Sequence, residues 1–479
     1  MAGTPDGRAV GARTRRARVA VTAVFFVHGA VFASWAARIP EVKDQLHLSA
    51  GVLGLVLAGP GVGALAGSQV GGLAVRRFGG RAISGCAPLV LCLPLGLVPL
   101  ARSAGMLAAL LVLLGAADGA TSVAMNAQAL AVQRVYGRSV LNAMHAVRSL
   151  GAVAGGLAAA ATAALSLPQT DQFVVTAVTL ATVSALAACG LQPEQHVLAT
   201  GELASAVLST GEVGEVGEVG DTGEVGDAGG TVGVVGAAGS NGSDGSGGSG
   251  GSAGPGGSGD VRDPSEPGVP AGRARQVLLA LALMAFFGSL IEDAPASWSG
   301  VYLRHAGAGA AVAATGYAAF CAGEVATRML NDRLVDRLGW VRLIRTGTLG
   351  CAVVLTVALL VGRPAVMLAA LVCAGAGVSA VFPGAFAGAG ALPGSGPALA
   401  QVGFAGNAGW LAVSPLIGGL ATAAGLSVAF GLLPLAALVI AALAGATRAG
   451  TPSGVARRGD GNAKARQGAR NAVRVPRRK

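Results

Sequence analysis

Arg76-Arg77-Phe78-Gly79-Gly80-Arg81 and Asp336-Arg337-Leu338-Gly339-Trp340-Val341-Arg342 are two short basic turns at matching places in two apolar halves of the chain. Each falls between the second and third apolar segments of its half. Their charges cannot readily enter hydrocarbon, so both turns mark one face of a membrane. Their recurrence says that a spanning unit has been duplicated.

The composition agrees. Of 479 residues, 53% are hydrophobic and only 12% charged, and the mean hydropathy is +0.64. A soluble chain of this length would carry more charge, so most of its solvent is lipid. Alanine and glycine are in excess and lysine is confined to Lys43, Lys464 and Lys479, as in translation of a GC-rich bacterial genome. The net charge of +11 is concentrated in an N-terminal tail (Arg8, Arg13, Arg15, Arg16, Arg18) and a C-terminal tail (Arg457 to Lys479). Charges that flank apolar spans set membrane orientation, and no nucleic-acid partner is expected. The N-terminal basic region and apolar run look like a signal peptide, but the run is too long for that and leads straight into another span.

A spanning helix needs roughly 20 mostly apolar residues. By that rule the first half offers six segments, at about 18–37, 50–75, 82–101, 105–133, 140–166 and 171–191. The second half offers six more, at about 276–297, 307–331, 341–361, 363–390, 397–423 and 425–446. The expected fold is all-α, with twelve transmembrane helices in two six-helix bundles, 18–191 and 276–446. Tails at 1–17 and 447–479 and a linker at 192–275 complete the division.

The even-numbered joins carry Arg76, Arg77, Arg81, Arg134, Arg138, Arg333, Arg337, Arg342 and Arg345. The odd-numbered joins are poorer, with Arg38 and Lys43 offset by Glu41 and Asp44, and then Arg102, Arg304 and Arg363. The positive-inside rule therefore places both termini, both turns and the linker in the cytoplasm of a multi-pass bacterial membrane protein. The linker repeats Gly-Glu-Val from Gly211 and dissolves into Gly and Ser. Its triplets lack the proline of collagen, and it reads as a disordered acidic tether.

Gly59, Gly63, Gly67 and Gly71 recur at every fourth position of the second segment and share one helical face. Such a stripe lets a neighbouring backbone approach closely. Packing inside one bundle of a monomer is the reading preferred over dimerisation.

Polar groups within the spans carry the functional signal, because each must face a cavity or a partner. At 1.5 Å per residue His28 lies about 15 Å beyond Arg18, near the midplane of the first helix. Asp118, Asn126 and Gln128 lie on the fourth helix. His145 and Arg148, three apart on the fifth, share a face. Asp118 and Arg148 either approach across adjacent helices or find separate partners. Glu292 and Asp293 lie on the seventh helix, just before Pro295. Glu324 and Arg328, four apart on the eighth, are in the favourable order for an internal ion pair. Asn407 and Trp410 lie on one face of the eleventh. Cys86, Cys92, Cys189, Cys321, Cys351 and Cys373 all fall within apolar segments without metal-ligand spacing. The chain has no phosphate loop and no nucleophile elbow, so neither enzyme chemistry nor a cofactor is expected.

The turns also carry a family likeness. Gly72-Leu73-Ala74-Val75-Arg76-Arg77-Phe78-Gly79-Gly80-Arg81 resembles the loop signature of the major facilitator superfamily, Gly-x-Leu-x-Asp-Arg-x-Gly-Arg. Asp332-Arg333-Leu334-Val335-Asp336-Arg337-Leu338-Gly339 is its second copy. The second copy keeps the acid at Asp336, whereas Arg76 replaces it in the first.

Ser34-Trp35-Ala36-Ala37-Arg38-Ile39-Pro40-Glu41, Val123-Ala124-Met125-Asn126-Ala127-Gln128, His145 with Ser149-Leu150-Gly151, and Trp298-Ser299-Gly300-Val301-Tyr302-Leu303 are similar to a bacterial branch of that superfamily. That branch commonly has Asp before the Val-Ala-Met-Asn run and before the Trp-Ser pair, where this chain has Ser122 and Ser297.

The resemblance implies alternating access, in which two halves rock about a midplane site lined by the first, fourth, seventh and tenth helices. It favours His28, Asn126 and Glu292 as cavity residues, joined by Gln128, Asn407 and Trp410. Asp118, His145, Arg148, Glu292 and Asp293 become coupling or gating candidates, and Gly375, Gly377 and Pro383 would bend the tenth helix. The expected activity is secondary transport of a small organic solute coupled to protons; the competing class is a sensor or scaffold that signals through its linker.

Overall fold

The computed structural model describes residues 7–136, 140–191, 271–392 and 395–450. Arg138, most of the 192–275 linker and the C-terminal basic cluster lie outside the described residues, as does the side chain of Asp332. Among the described residues all regular structure is helical.

In the first half α1 is Gly7–Ala36, followed by the short helix Ile39–Gln45. Then come α2, in two pieces (Ala50–Val56 and Gly59–Phe78), α3 (Gly80–Leu97), α4 (Ala104–Tyr136), α5 (Leu141–Ala164) and α6 (Gln169–Ala188). The second half has α7 (Ala271–His305), α8 in two pieces (Ala310–Ala314 and Gly316–Arg328) and α9 (Asn331–Val361), which is broken at the non-helical Gly339 of the second basic turn. It closes with α10 (Pro364–Val378 and Val381–Gly390), α11 (Ser395–Ala424) and α12 (Leu426–Phe430 and Leu432–Leu443).

Eleven of these stretches are long and apolar enough to cross a membrane. The remaining crossing, expected over 307–331, is α8, whose longer piece has 13 residues and carries Glu324 and Arg328. The twelve-helix arrangement is thus retained, with α8 as a short, charge-bearing member.

Two of the interruptions trace to proline. In α2, Pro60 has no amide hydrogen to offer the Val56 carbonyl, and the helix breaks just before it. In α10, Pro383 cannot bond the Ser379 carbonyl, which instead accepts from Asn331 Nδ2 at 3.4 Å. The bend expected from Gly375 and Gly377 is corrected: both lie in the regular piece Pro364–Val378, and the break is at Ser379-Ala380. The two basic turns share one conformation, with φ +83° at Gly79 and +73° at Gly339. Neither has an atom near its missing Cβ, so backbone angle alone demands glycine there.

Lipid provides no hydrophobic drive between helices, and the bundles hold by close backbone approach. A Cβ on Gly63 would stand 2.0 Å from the Val112 carbonyl oxygen, and one on Gly67 1.9 Å from that of Ala116. The glycine stripe of α2 is therefore spent on α4, inside one bundle. The second half repeats the device between α8 and α10, where Gly323 meets the Val372 carbonyl and Gly375 that of Phe320. Gly151 against Phe26 joins α5 to α1, and Gly409 against Phe286 joins α11 to α7. The duplication is thus visible in packing as well as in the turns.

The halves meet at the ends remote from the basic turns. Gly54 of α2 abuts the backbone of Ser414 and Gly418 on α11, and Gly156 of α5 abuts Ala318 on α8. Gly300 of α7 meets the ring of Pro40. These contacts seal one face.

Candidate solute cavity

Beneath that seal lies a cavity of about 680 Å³ between the halves. Its wall descends toward the basic-turn face, where Met329, Asn331 and Trp340 line it. The helix breaks aim it: Pro383 and Phe382, in the first turn after the α10 break, are on the wall.

His28, Asn407 and Trp410 line the cavity, as do Asp118, His145, Arg148, Glu292 and Asp293. Asn126 and Gln128 do not. Both are buried, and Asn126 turns its Nδ2 back to the Ser122 carbonyl at 2.9 Å. One helical face of α4 thus gives Asp118, Ser122 and Met125 to the cavity while the next residues pack into the bundle.

Two polar assemblies stand at mid-depth. On the first half His28 Nε2 lies 2.9 Å from Asp118 Oδ1, which answers the open question of what Asp118 meets. On the second half Trp410 Nε1 donates to Asp293 Oδ1 at 2.8 Å, and Ser297 Oγ donates to Asp293 Oδ2 at 3.2 Å. Trp410 shares its helical face with Asn407, and its indole hydrogen is committed to α7. Nearer the basic turns, Arg328 and Glu324 pair at 2.7 Å within α8, one turn apart as their order suggests.

The two aspartates share a register. Asp118 precedes Ser122 by one helical turn, and Asp293 precedes Ser297 by one turn.

Arg38, one of the charges at the first join, is only 3% exposed. It donates to Thr162 at 3.0 Å, Gln172 at 3.3 Å and Glu41 at 3.4 Å, tying the end of α1 to α5 and α6. Its apolar neighbours Ala36, Ala37 and Ile39 were the available hint. At the turns, Arg76, Arg77, Arg81, Asp336 and Arg337 are exposed, and Gly72 has open space around it. Among the described residues no cluster of His, Cys, Asp and Glu could hold a metal, and all six cysteines are unbridged.

Residues 20–395 match the family model of the Major Facilitator Superfamily. The chain belongs to that superfamily. It is 28% identical over 431 residues to an uncharacterised MFS-type transporter of Yersinia pestis, covering 89% of this chain and 94% of that one. It is 27% identical over 429 residues to an uncharacterised transporter of Sinorhizobium fredii, covering 88% and 96%. Among solved structures, the nucleoside transporter NupG aligns with a TM-score of 0.61 at 10% identity, over 90% of this chain and 98% of that one. A D-xylose-proton symporter aligns with a TM-score of 0.60 at 13% identity, over 90% and 95%. At such identities these two likenesses speak for the MFS fold alone. The chain is a multi-pass membrane protein of this transporter family.

Proposed function

We propose that this protein is a secondary active transporter that moves a small organic solute by alternating access, with proton movement coupled to solute movement. The observation that carries the reading is the cavity itself. It lies between two six-helix halves, is sealed on one face and holds ionisable groups at mid-depth. About 680 Å³ falls in the range that encloses a drug-sized or smaller molecule. With the basic turns in the cytoplasm, the conformation is inward-facing.

Aromatic rings of Phe32, Phe382, Phe386 and Trp410 beside Asn407 and Ser289 suit a ring-shaped solute with hydroxyl groups. The names of the structural neighbours, a nucleoside transporter and a D-xylose-proton symporter, support testing those two classes first. Coupling is assigned to Asp118 with His28 and to the Glu292-Asp293 pair, since a carboxylate couples when its protonation changes with occupancy or conformation.

The test is uptake into proteoliposomes under an imposed pH gradient, with D-xylose and nucleosides first and a thermal-shift screen of wider solutes behind them. Uptake that collapses with the gradient supports the reading. Undiminished gradient-driven uptake after replacement of Asp118, Glu292 and Asp293 together removes the proton assignment.

A further inference from the structure

Two spaces meet at Asp293. Beyond the main cavity is a chamber of about 10 Å³, a volume on the order of one water molecule by the room its centre needs. Trp35, Ile39, Leu57 and Ala296 line it, all on the sealed side of the midplane. Phe32, Asp293 and Trp410 line both spaces and form the wall between them. Ser297 lines the chamber and not the main cavity.

The titratable groups on the main-cavity side are Glu292 on α7 itself, His28 on α1, Asp118 on α4, His145 and Arg148 on α5, and Tyr317, Cys321, Glu324 and Arg328 on α8. None of them lines the chamber. Among the described residues, Asp293 is the titratable group that reaches both sides of the wall.

Its two oxygens are divided in the same way. Oδ1 accepts from Trp410 and Oδ2 from Ser297. An indole N–H can only donate, whereas a hydroxyl can donate or accept. A proton on Oδ1 would oppose the Trp410 hydrogen. A proton on Oδ2 is accommodated once the Ser297 hydroxyl turns and accepts it.

The geometry points to Asp293 as the carboxylate that exchanges protons with the sealed, outer side through this chamber, with Ser297 as the hydroxyl that receives the new O–H. The step balances. A hydronium ion reaching the chamber gives one proton to Oδ2 and is left as water, no heavy-atom bond changes, and Ser297 trades a donated hydrogen bond for an accepted one. When the outer seal opens, the chamber joins the outer solution. When the seal closes, the neutral acid stands beside Trp410 on the main cavity. The inference deepens the proton coupling proposed above and rests on it, while Asp293's access is measurable without any solute.

Trp410 reports on its partner, because its N–H donates to a carboxylate in one state and to a neutral acid in the other. Protein reconstituted in a single orientation receives an acid step on the outer side, with the inner pH held and no solute present, while tryptophan emission is followed. We expect an emission shift on the outer step, its loss in Asp293→Asn and a severalfold slower shift in Ser297→Ala. A shift that follows only an inner step, or one of equal size in Asp293→Asn, overturns the assignment. An unchanged rate in Ser297→Ala overturns the hydroxyl's role. If Asp293→Asn fails to fold, as judged by size-exclusion chromatography, comparison of outer and inner steps on the wild type decides alone. An intact outer shift in a protein that moves no solute would remove the transport reading and leave this assignment standing; coupled flux without an outer shift would do the reverse.

Discussion

His28 Nε2 lies 2.9 Å from Asp118 Oδ1, so the midplane of α1 is joined to the midplane of α4 across the wall of the cavity. The approach is a close polar contact and not an aligned hydrogen bond, since neither ring nitrogen of His28 has a bonding partner at a good angle.

Asp118→Asn keeps the side chain's shape and removes its charge. If the contact carries a coupling of ordinary size, about 1–3 kcal/mol, its loss changes the coupled occupancy roughly 5- to 150-fold. We expect uptake driven by a pH gradient to fall by that factor while solute exchange without a gradient survives. Parallel uptake and counterflow measurements in proteoliposomes check it, and an equal loss in both would show a binding defect with no coupling role.

The helices and their pairing into halves were legible because each crossing must satisfy its own backbone in lipid, and only long apolar runs do so. Helix α8 was the hardest to read for the same reason: Glu324 and Arg328 dilute its apolar run. Which residues shared the cavity wall was mostly legible from depth and helical face. The exceptions were Asn126 and Gln128, whose facing depends on the rotation of α4 against the glycines of α2. Partners on different helices were not legible. His28 with Asp118, and Trp410 with Asp293, join residues 90 or more positions apart, and only packing brings them within reach.

Trp410→Phe retains the ring on the wall and deletes the hydrogen given to Asp293. Hydrogen bonds between membrane helices average about 0.6 kcal/mol, whereas those to a charged group contribute about 1.5–3 kcal/mol. The bond to the ionised form is the stronger one. The variant should therefore lose more stability at high pH, where Asp293 is charged, and less as acid neutralises it. Thermal unfolding of purified wild type and variant across pH tests the sign; a pH-independent difference would mean that Asp293 keeps one protonation state throughout.

Gly67→Ala and Gly72→Ala should part company although they lie on the same helix. The new methyl of the first would sit 1.9 Å from the Ala116 carbonyl oxygen, an atom of backbone that cannot turn aside. Overpacking of this kind costs about 1–3 kcal/mol. The second meets nothing within 4 Å, and alanine is a better helix former than glycine by about 1 kcal/mol. Unfolding temperatures in detergent should fall for Gly67→Ala and hold or rise for Gly72→Ala.

Gly54→Leu probes the seal without touching the wall of the main cavity. A Cβ there would stand 2.5 Å from the Ser414 carbonyl oxygen and 3.0 Å from the Gly418 Cα, both on α11 of the other half. Gly418 in turn would place a Cβ 2.7 Å from the Ala50 carbonyl. Side-chain bulk here opposes docking of the halves and leaves the glycine contacts within each half intact. If the cost is about 1–3 kcal/mol, the equilibrium moves roughly 5- to 150-fold toward the form open on that face. Ala296, buried beneath the seal on the small chamber, offers the readout. In a background lacking the six native cysteines, Ala296→Cys should react with an impermeant maleimide from the outer side much faster when Gly54 is Leu. An unchanged rate in a folded protein would mean that α2 and α11 do not part during opening, and that the seal turns on the α5–α8 contact at Gly156 instead.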